Sequence, residues 1–155
     1  MDEKDRDNLI YEIIKDRYSQ GLQVTSDLDS KANNITGFSG LLATLIAAVA
    51  GYIPKGNYPL LFVIPIILLI VSAILGLLGY WVKPYKAIEP KKFINEYKTK
   101  TETETRREFT ATIASCTEEN HTVNDNRARW IKWASTLLVT AIGLFFLITI
   151  VNSLL

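Results

Sequence analysis

Six basic residues, Lys83, Lys86, Lys91, Lys92, Arg106 and Arg107, are the groups in this 155-residue chain best suited to hold a ligand. Cations gathered in one stretch can bind an anion through charge-assisted hydrogen bonds. A positive-inside loop bias accounts for the same residues without any ligand. A second set, the run Arg127-Ala-Arg-Trp-Ile-Lys-Trp133, interleaves cations with indoles. With Trp81 it supplies the side chains of a membrane-interface anchor: Trp81, Arg127, Arg129, Trp130, Lys132 and Trp133. Such a run can also hold an anionic lipid, although anchoring alone explains it. Catalytic chemistry is not indicated. No Gly-rich phosphate loop, no paired metal-ligand spacing and no nucleophile beside a base occurs in the sequence. His121, in Glu118-Glu-Asn-His-Thr, reads as a solvated helix-surface residue, and Cys116, the single cysteine, as a small seam residue. One cysteine excludes an intrachain disulfide and, with one histidine, argues against a zinc site. The expectation is a non-enzymatic protein without a cofactor or bound metal.

The elements that would carry these groups follow from three apolar stretches, residues 35–53, 60–82 and 133–151, none of which contains Lys, Arg, Asp, Glu or His. A helix needs about 20 apolar residues to cross ~30 Å of hydrocarbon. It also satisfies its own backbone polar groups there. The overall figure of 48 % hydrophobic conceals this segregation, because the 17 basic and 16 acidic residues lie mostly between the blocks. A net charge of +1 gives no basis for binding a nucleic-acid polymer. The fold class expected is all-α: three transmembrane helices in a bundle, with long cytoplasmic helical extensions, oligomeric. The divisions are 1–34 (cytoplasmic amphipathic helix), 35–82 (transmembrane hairpin), 83–132 (cytoplasmic helical segment) and 133–155 (third span).

Orientation comes from the cations. Lys4, Arg6, Lys15, Arg17 and Lys31 precede the first stretch, only Lys55 lies in the 54–59 turn, and eleven basic residues separate the second and third stretches. Basic segments stay in the cytoplasm. The N-terminus is therefore expected inside and the C-terminus outside a cytoplasmic (inner) membrane. The acidic start, Met-Asp-Glu-Lys-Asp, is not a signal-peptide pattern.

The first extension shows a diluted helical face: Ile10, Ile14, Tyr18, Gly21, Thr25, Leu28, Ala32 and Ile35. It is expected to run into the first span with little break, loosened at Gly21. Pro84 and Pro90 end the second span. The Thr-rich block 98–105 suits a linker or an exposed helix. Then Phe109, Ile113, Cys116, Asn120, Val123, Arg127, Ile131, Ala134 and Leu138 trace a seam entering the third span. Asn120 and Arg127 interrupt it, either because the seam is half wet or because polar layers fix register. A helix over 106–151 would be on the order of 70 Å long.

Membrane helices associate through small residues. Those expected to pack are Ser39, Ala43, Ala47 and Gly51 on one stripe of the first span and Gly40, Thr44 and Ala48 on the next, Ser72, Gly76 and, just off line, Gly79 on the second span, and Thr136, Thr140 and Gly143 on the third. The first span is then central, with one neighbour from its own chain and another from a second copy. Thr44, Ser72, Thr136 and Thr140 could line a narrow uncharged constriction in such an oligomer.

The order of features, with Asp29-Ser-Lys-Ala-Asn-Asn-Ile-Thr-Gly37 leading into a span rich in small residues, resembles the Pycsar transmembrane effectors of prokaryotic anti-phage signalling. It is more loosely similar to the SLATT effectors. An Asp-x-Lys-Ala element matches at Asp29, Lys31 and Ala32. The resemblance implies an oligomer that senses a cyclic nucleotide and breaches the inner membrane during infection. It carries over no ligand-binding residue. The reading is thus an antiviral membrane effector or channel-like homo-oligomer whose partners are the lipid bilayer, its own copies and a cyclic nucleotide. The alternative is a membrane scaffold or partner subunit that forms no pore.

Overall fold

Proline placement sets the element boundaries. All five prolines, Pro54, Pro59, Pro65, Pro84 and Pro90, fall outside two long proline-free tracts, and proline in a helix interior removes a hydrogen bond and clashes with the preceding turn. The computed structural model describes residues 3–52, 59–81, 86 and 100–154. The two tracts form helices α1, Glu3–Tyr52, and α3, Glu102–Leu154. Between them a 3-10 turn, Pro59–Phe62, leads into α2, Val63–Tyr80. Pro65 sits in the first turn of α2, where the amide it lacks would have no partner within the helix. No strand occurs among the described residues. All three helices are long and apolar enough to cross a membrane. The tip of the 54–59 turn, the end of the second stretch at Val82, the breakers Pro84 and Pro90 and the start of the Thr-rich block lie outside the described residues.

No break occurs at Gly21, which is an interior residue of α1. The start of α3 is a reciprocal cap. Thr101 donates from its backbone N–H (3.1 Å) and its hydroxyl (2.7 Å) to Glu104 Oε2, while the Glu104 N–H reaches back to Thr101 Oγ1 at 3.4 Å. The Thr-x-x-Glu spacing is that of a capping box. These bonds hold the Glu104 carboxyl below its ordinary value, the hydroxyl contributing most.

The chain divides into two compact units. One comprises α1 as far as Asp27 and α3 as far as Asp125; the other comprises α1 from Leu28, α2, and α3 from Asn126. Hydropathy alone places these divisions at 34/35 and 132/133, so the second unit recruits about two further turns of each long helix. The reason is a small cluster in which Leu28, Ala32 and Ile131 bury together with Ile35 against them.

The first unit is thinly packed. Ile113, Asn120 and Asn124 are its buried side chains among the described residues. The Tyr11 and Phe109 rings stand 6.1 Å apart, and Arg107 Nε lies 2.8 Å from Asp7 Oδ2. In the second unit the buried positions recur by threes and fours: Phe62 at the end of the 3-10 turn, then Pro65, Leu69, Ser72, Gly76 and Gly79 on α2. Those of α3 in this unit are Arg127, Ile131, Ala134, Ala141 and Ile148, with Leu28, Ala32, Ser39 and Ile46 on α1. A repeat of 3.5 keeps one helix face turned to its neighbours. Ile46, Phe62, Leu69, Ala141 and Ile148 form the main apolar cluster.

Candidate functional site

The second unit contains a polar seam built from all three helices. At its centre Ser39 and Ser72 are fully buried. Ser39 Oγ donates to Ser72 Oγ at 3.1 Å, and Ser72 Oγ donates to the Ala134 carbonyl at 2.8 Å. Two glycines let α2 approach this closely. A Cβ at Gly76 would stand 2.5 Å from Thr36 Oγ1, and one at Gly79 would stand 2.9 Å from the Ile131 side chain.

One layer away, Arg127 is 5 % exposed. Its Nε donates to the Gly79 carbonyl at 2.9 Å, and one terminal nitrogen pairs with Asp29 Oδ1. Gly79 is in the last turn of α2, where carbonyls have no partner within the helix. Arg127 therefore caps α2, neutralises Asp29 and ties the three helices at one level. Burying a cation this deeply is tolerated because it is paired and hydrogen-bonded. Both Asn120 (3 % exposed) and Arg127 are buried, so the half-wet explanation of these interruptions does not hold. The seam also uses Asn124, which is buried, in place of the expected Val123, which is half-buried. Of the Asp-x-Lys-Ala element, Asp29 engages Arg127, Ala32 is fully buried and Lys31 faces outward.

The first unit repeats the pattern with neutral groups. Asn124 Nδ2 donates to Thr25 Oγ1 at 3.1 Å. Asn120 exchanges two bonds with the backbone of Lys86, accepting from its N–H at 3.0 Å and donating to its carbonyl at 3.1 Å.

Of the expected small packing residues, Ser39, Ser72, Gly76 and Gly79 are buried in the seam and Ala43 is half-buried. Gly40, Thr44, Ala47, Ala48, Gly51 and Gly143 are exposed, and a Cβ at Gly40, Gly51 or Gly143 would meet nothing within 4 Å. The exposed hydroxyls are satisfied locally. Thr44 donates to Leu41 O (2.7 Å), Thr136 to Lys132 O (3.0 Å) and Thr140 to Thr136 O (2.8 Å).

The expected anion set is divided. Lys83, Lys91 and Lys92 lie outside the described residues. Lys86 pairs with Glu119 at 2.6 Å, and the hydrogen bond to that carboxylate raises its pKa. Arg106 bonds Asn8 and Glu102 and stands 5.5 Å over the Tyr11 ring; Arg107 bonds Asp7. Asn120, which holds Lys86, and Arg106 are about 20 Å apart along α3. The described members are thus separated and already engaged by acidic partners. A groove of about 410 Å³ does border Arg106 and Arg107, floored by Ile10, Ile14, Ala111 and Ala114. Among the described residues no group of three His, Cys, Asp or Glu side chains could hold a metal ion.

The anchor residues gather at one level. The Arg127–Gly79 bond sets the end of α2 beside Arg127, and there Tyr80, Trp81, Trp130 and Trp133 are all exposed. Arg129 and Lys132 are exposed with them, whereas Arg127 turns inward. Sequence reasoning grouped Arg127 with the anchors because helix phase alone does not show which of several cations meets a buried partner. Comparison with protein-family models, curated proteins and solved structures finds no match to this chain.

Proposed function

We propose that the chain is a multi-pass inner-membrane protein whose apolar helices form a three-span bundle, with its N-terminus in the cytoplasm and its C-terminus outside. The observation that carries this reading is the apolar exterior of the second unit. Its interior holds Ser39, Ser72 and Arg127 beside an apolar cluster, while Leu41, Leu45, Ile64, Ile67, Ile74, Val139, Phe146 and Leu147 point outward, Val139 being 69 % exposed. Water-soluble monomers rarely leave continuous apolar surface of this extent. In lipid the same surface costs nothing, and close small-residue packing with satisfied polar groups supplies cohesion. Thr136 and Thr140 fit this setting because their hydroxyls bond their own helix.

The protein acts as a non-enzymatic homo-oligomeric effector that perturbs or permeabilises the membrane on receiving a signal. Two features support this. Each of α1 and α3 carries a charged stretch and an apolar stretch on a single unbroken helix, so a change at the charged end can bias the apolar end. Three helices from one chain are also too few to enclose an aqueous path, so conduction needs several copies. The resemblance to Pycsar effectors supplies the ligand class, a cyclic nucleotide in anti-phage defence. The test is dye release from vesicles containing the purified protein, with a panel of 3′,5′-cyclic nucleotides added in turn. One of them is expected to trigger release. Vesicles that stay tight with every nucleotide, together with a monomeric mass in detergent, would replace the effector with a partner-dependent scaffold.

A further inference from the structure

The described cations include two classes. Lys15, Lys86, Lys100, Arg106, Arg107 and Arg127 are each paired with a carboxylate. Arg17, Lys31, Arg129 and Lys132 are exposed and make no ion pair among the described residues, and of these Arg129 and Lys132 lie together at the start of the apolar stretch of α3. The acid nearest to Arg129 on its own helix, Asp125, engages His121 at 3.2 Å. Arg129, Lys132 and Trp133 are spaced by three and four, which places them on one face of α3. That face remains exposed for the rest of the apolar stretch, through Thr136, Val139, Thr140, Gly143, Phe146 and Leu147. Trp133 is 62 % exposed, and at Gly143 nothing stands within 4 Å of a would-be Cβ.

We infer that this face is a seat for one anionic phospholipid. The headgroup phosphate lies between Arg129 and Lys132, the Trp133 indole sits at the glycerol level, and an acyl chain follows Thr136 and Val139 to the notch at Gly143. The inference rests on the membrane reading above. Dimensions agree: Trp133 to Gly143 is about 15 Å along the helix, half of the ~30 Å hydrocarbon core. Two cations without carboxylate partners complement an anionic head, and a zwitterionic one would bring a competing positive charge. A second copy docked here by two-fold symmetry would set Arg129 and Lys132 against themselves, because such contacts are self-complementary. That like-charge contact favours lipid as the occupant.

The test uses the whole protein carrying W81F and W130F, so that Trp133 is the one indole. It is reconstituted in phosphatidylcholine vesicles that contain a minor fraction of brominated phosphatidylglycerol or brominated phosphatidylcholine, and Trp133 quenching is measured. Brominated phosphatidylglycerol is expected to quench several-fold more per mole. R129Q with K132Q should abolish the difference, and R129K with K132R should retain it. Equal quenching by the two lipids overturns the seat and leaves the membrane reading intact. Absence of quenching in protein that still floats with the vesicles means a second copy covers the face, which also overturns the seat. Protein that does not float overturns the membrane reading as well.

Discussion

The two compact units share helices α1 and α3 but solve opposite packing problems. The first has few buried side chains and carries charge on its surface, with contacts such as Arg107–Asp7 and Lys86–Glu119. Ion pairs of this kind, screened by solvent, contribute little to stability. Its specificity comes from neutral layers, Asn124 with Thr25 and Asn120 with the Lys86 backbone. The second unit buries an apolar cluster around Phe62 and Leu69, yet keeps many large apolar side chains outside and places small and polar groups within. It is held by that cluster, glycine-mediated approach, a serine relay and the pair of buried Arg127 with half-exposed Asp29. The difference teaches that in the second unit polar layers and shape act together with apolar burial in specifying which helix meets which. The membrane setting proposed above would account for the apolar exterior, since lipid tails give apolar side chains no reason to turn inward.

The sharpest way to break this comparison is to remove Asp29. Asp29→Ala leaves Arg127 buried without its carboxylate; loss of a charged hydrogen bond costs roughly 2–3 kcal/mol, less than for a fully buried pair because Asp29 is half-exposed. Denaturant or thermal unfolding in detergent should show this loss. Asp29→Ala combined with Arg127→Leu should recover much of it, because an apolar replacement of both partners is often tolerated. A loss from Asp29→Ala no larger than that from a surface substitution would mean the layer is not structural.

The next effect separates tight glycines from open ones. Gly76→Ala drives a methyl against Thr36 and its bond to Ala32 O, and overpacking of this kind costs roughly 1–3 kcal/mol. Gly143→Ala meets nothing and should stay within about 0.5 kcal/mol in the monomer. If Gly143→Ala instead disrupts oligomers while sparing the monomer fold, the open position is an intermolecular contact.

A smaller loss, about 1 kcal/mol, is expected from Asn124→Ala, which removes the Thr25 bond in the first unit. It should raise hydrogen exchange around Thr25 before it alters the apolar helices. The smallest effect concerns the Thr101–Glu104 cap. The carboxyl's pKa is lower in the folded state than the ordinary 4.5. Its stabilisation is therefore present above that value and lost as pH falls through the folded-state pKa. Exchange at the first turn of α3 should rise on acidification below about pH 4.5, and Thr101→Ala should flatten that dependence.

Much of the helical architecture is readable from residue order. Three charge-free stretches, the proline positions and the Thr-x-x-Glu spacing are local properties, and local hydrogen bonding and hydropathy act on them directly. The seam of α3 is legible to within one position, Asn124 taking the place of Val123. The roles of the small residues are only partly legible: Ser39, Ser72, Gly76 and Gly79 pack as expected, and Gly40, Gly51 and Gly143 do not. Gly40 and Gly76 look alike in sequence, yet one is open and the other sits beneath Thr36. Close approach depends on how another helix crosses, and no single-helix period encodes that.

The sequence by itself determined that apolar length is concentrated in three tracts and that cations cluster near their ends, because hydropathy and charge are summed along the chain. Only the tertiary structure decided that Arg127 turns inward to Asp29 and Gly79 while Arg129 and Lys132 make no ion pair among the described residues. Successive residues of a helix point about 100° apart, and what each direction meets belongs to the neighbouring helices.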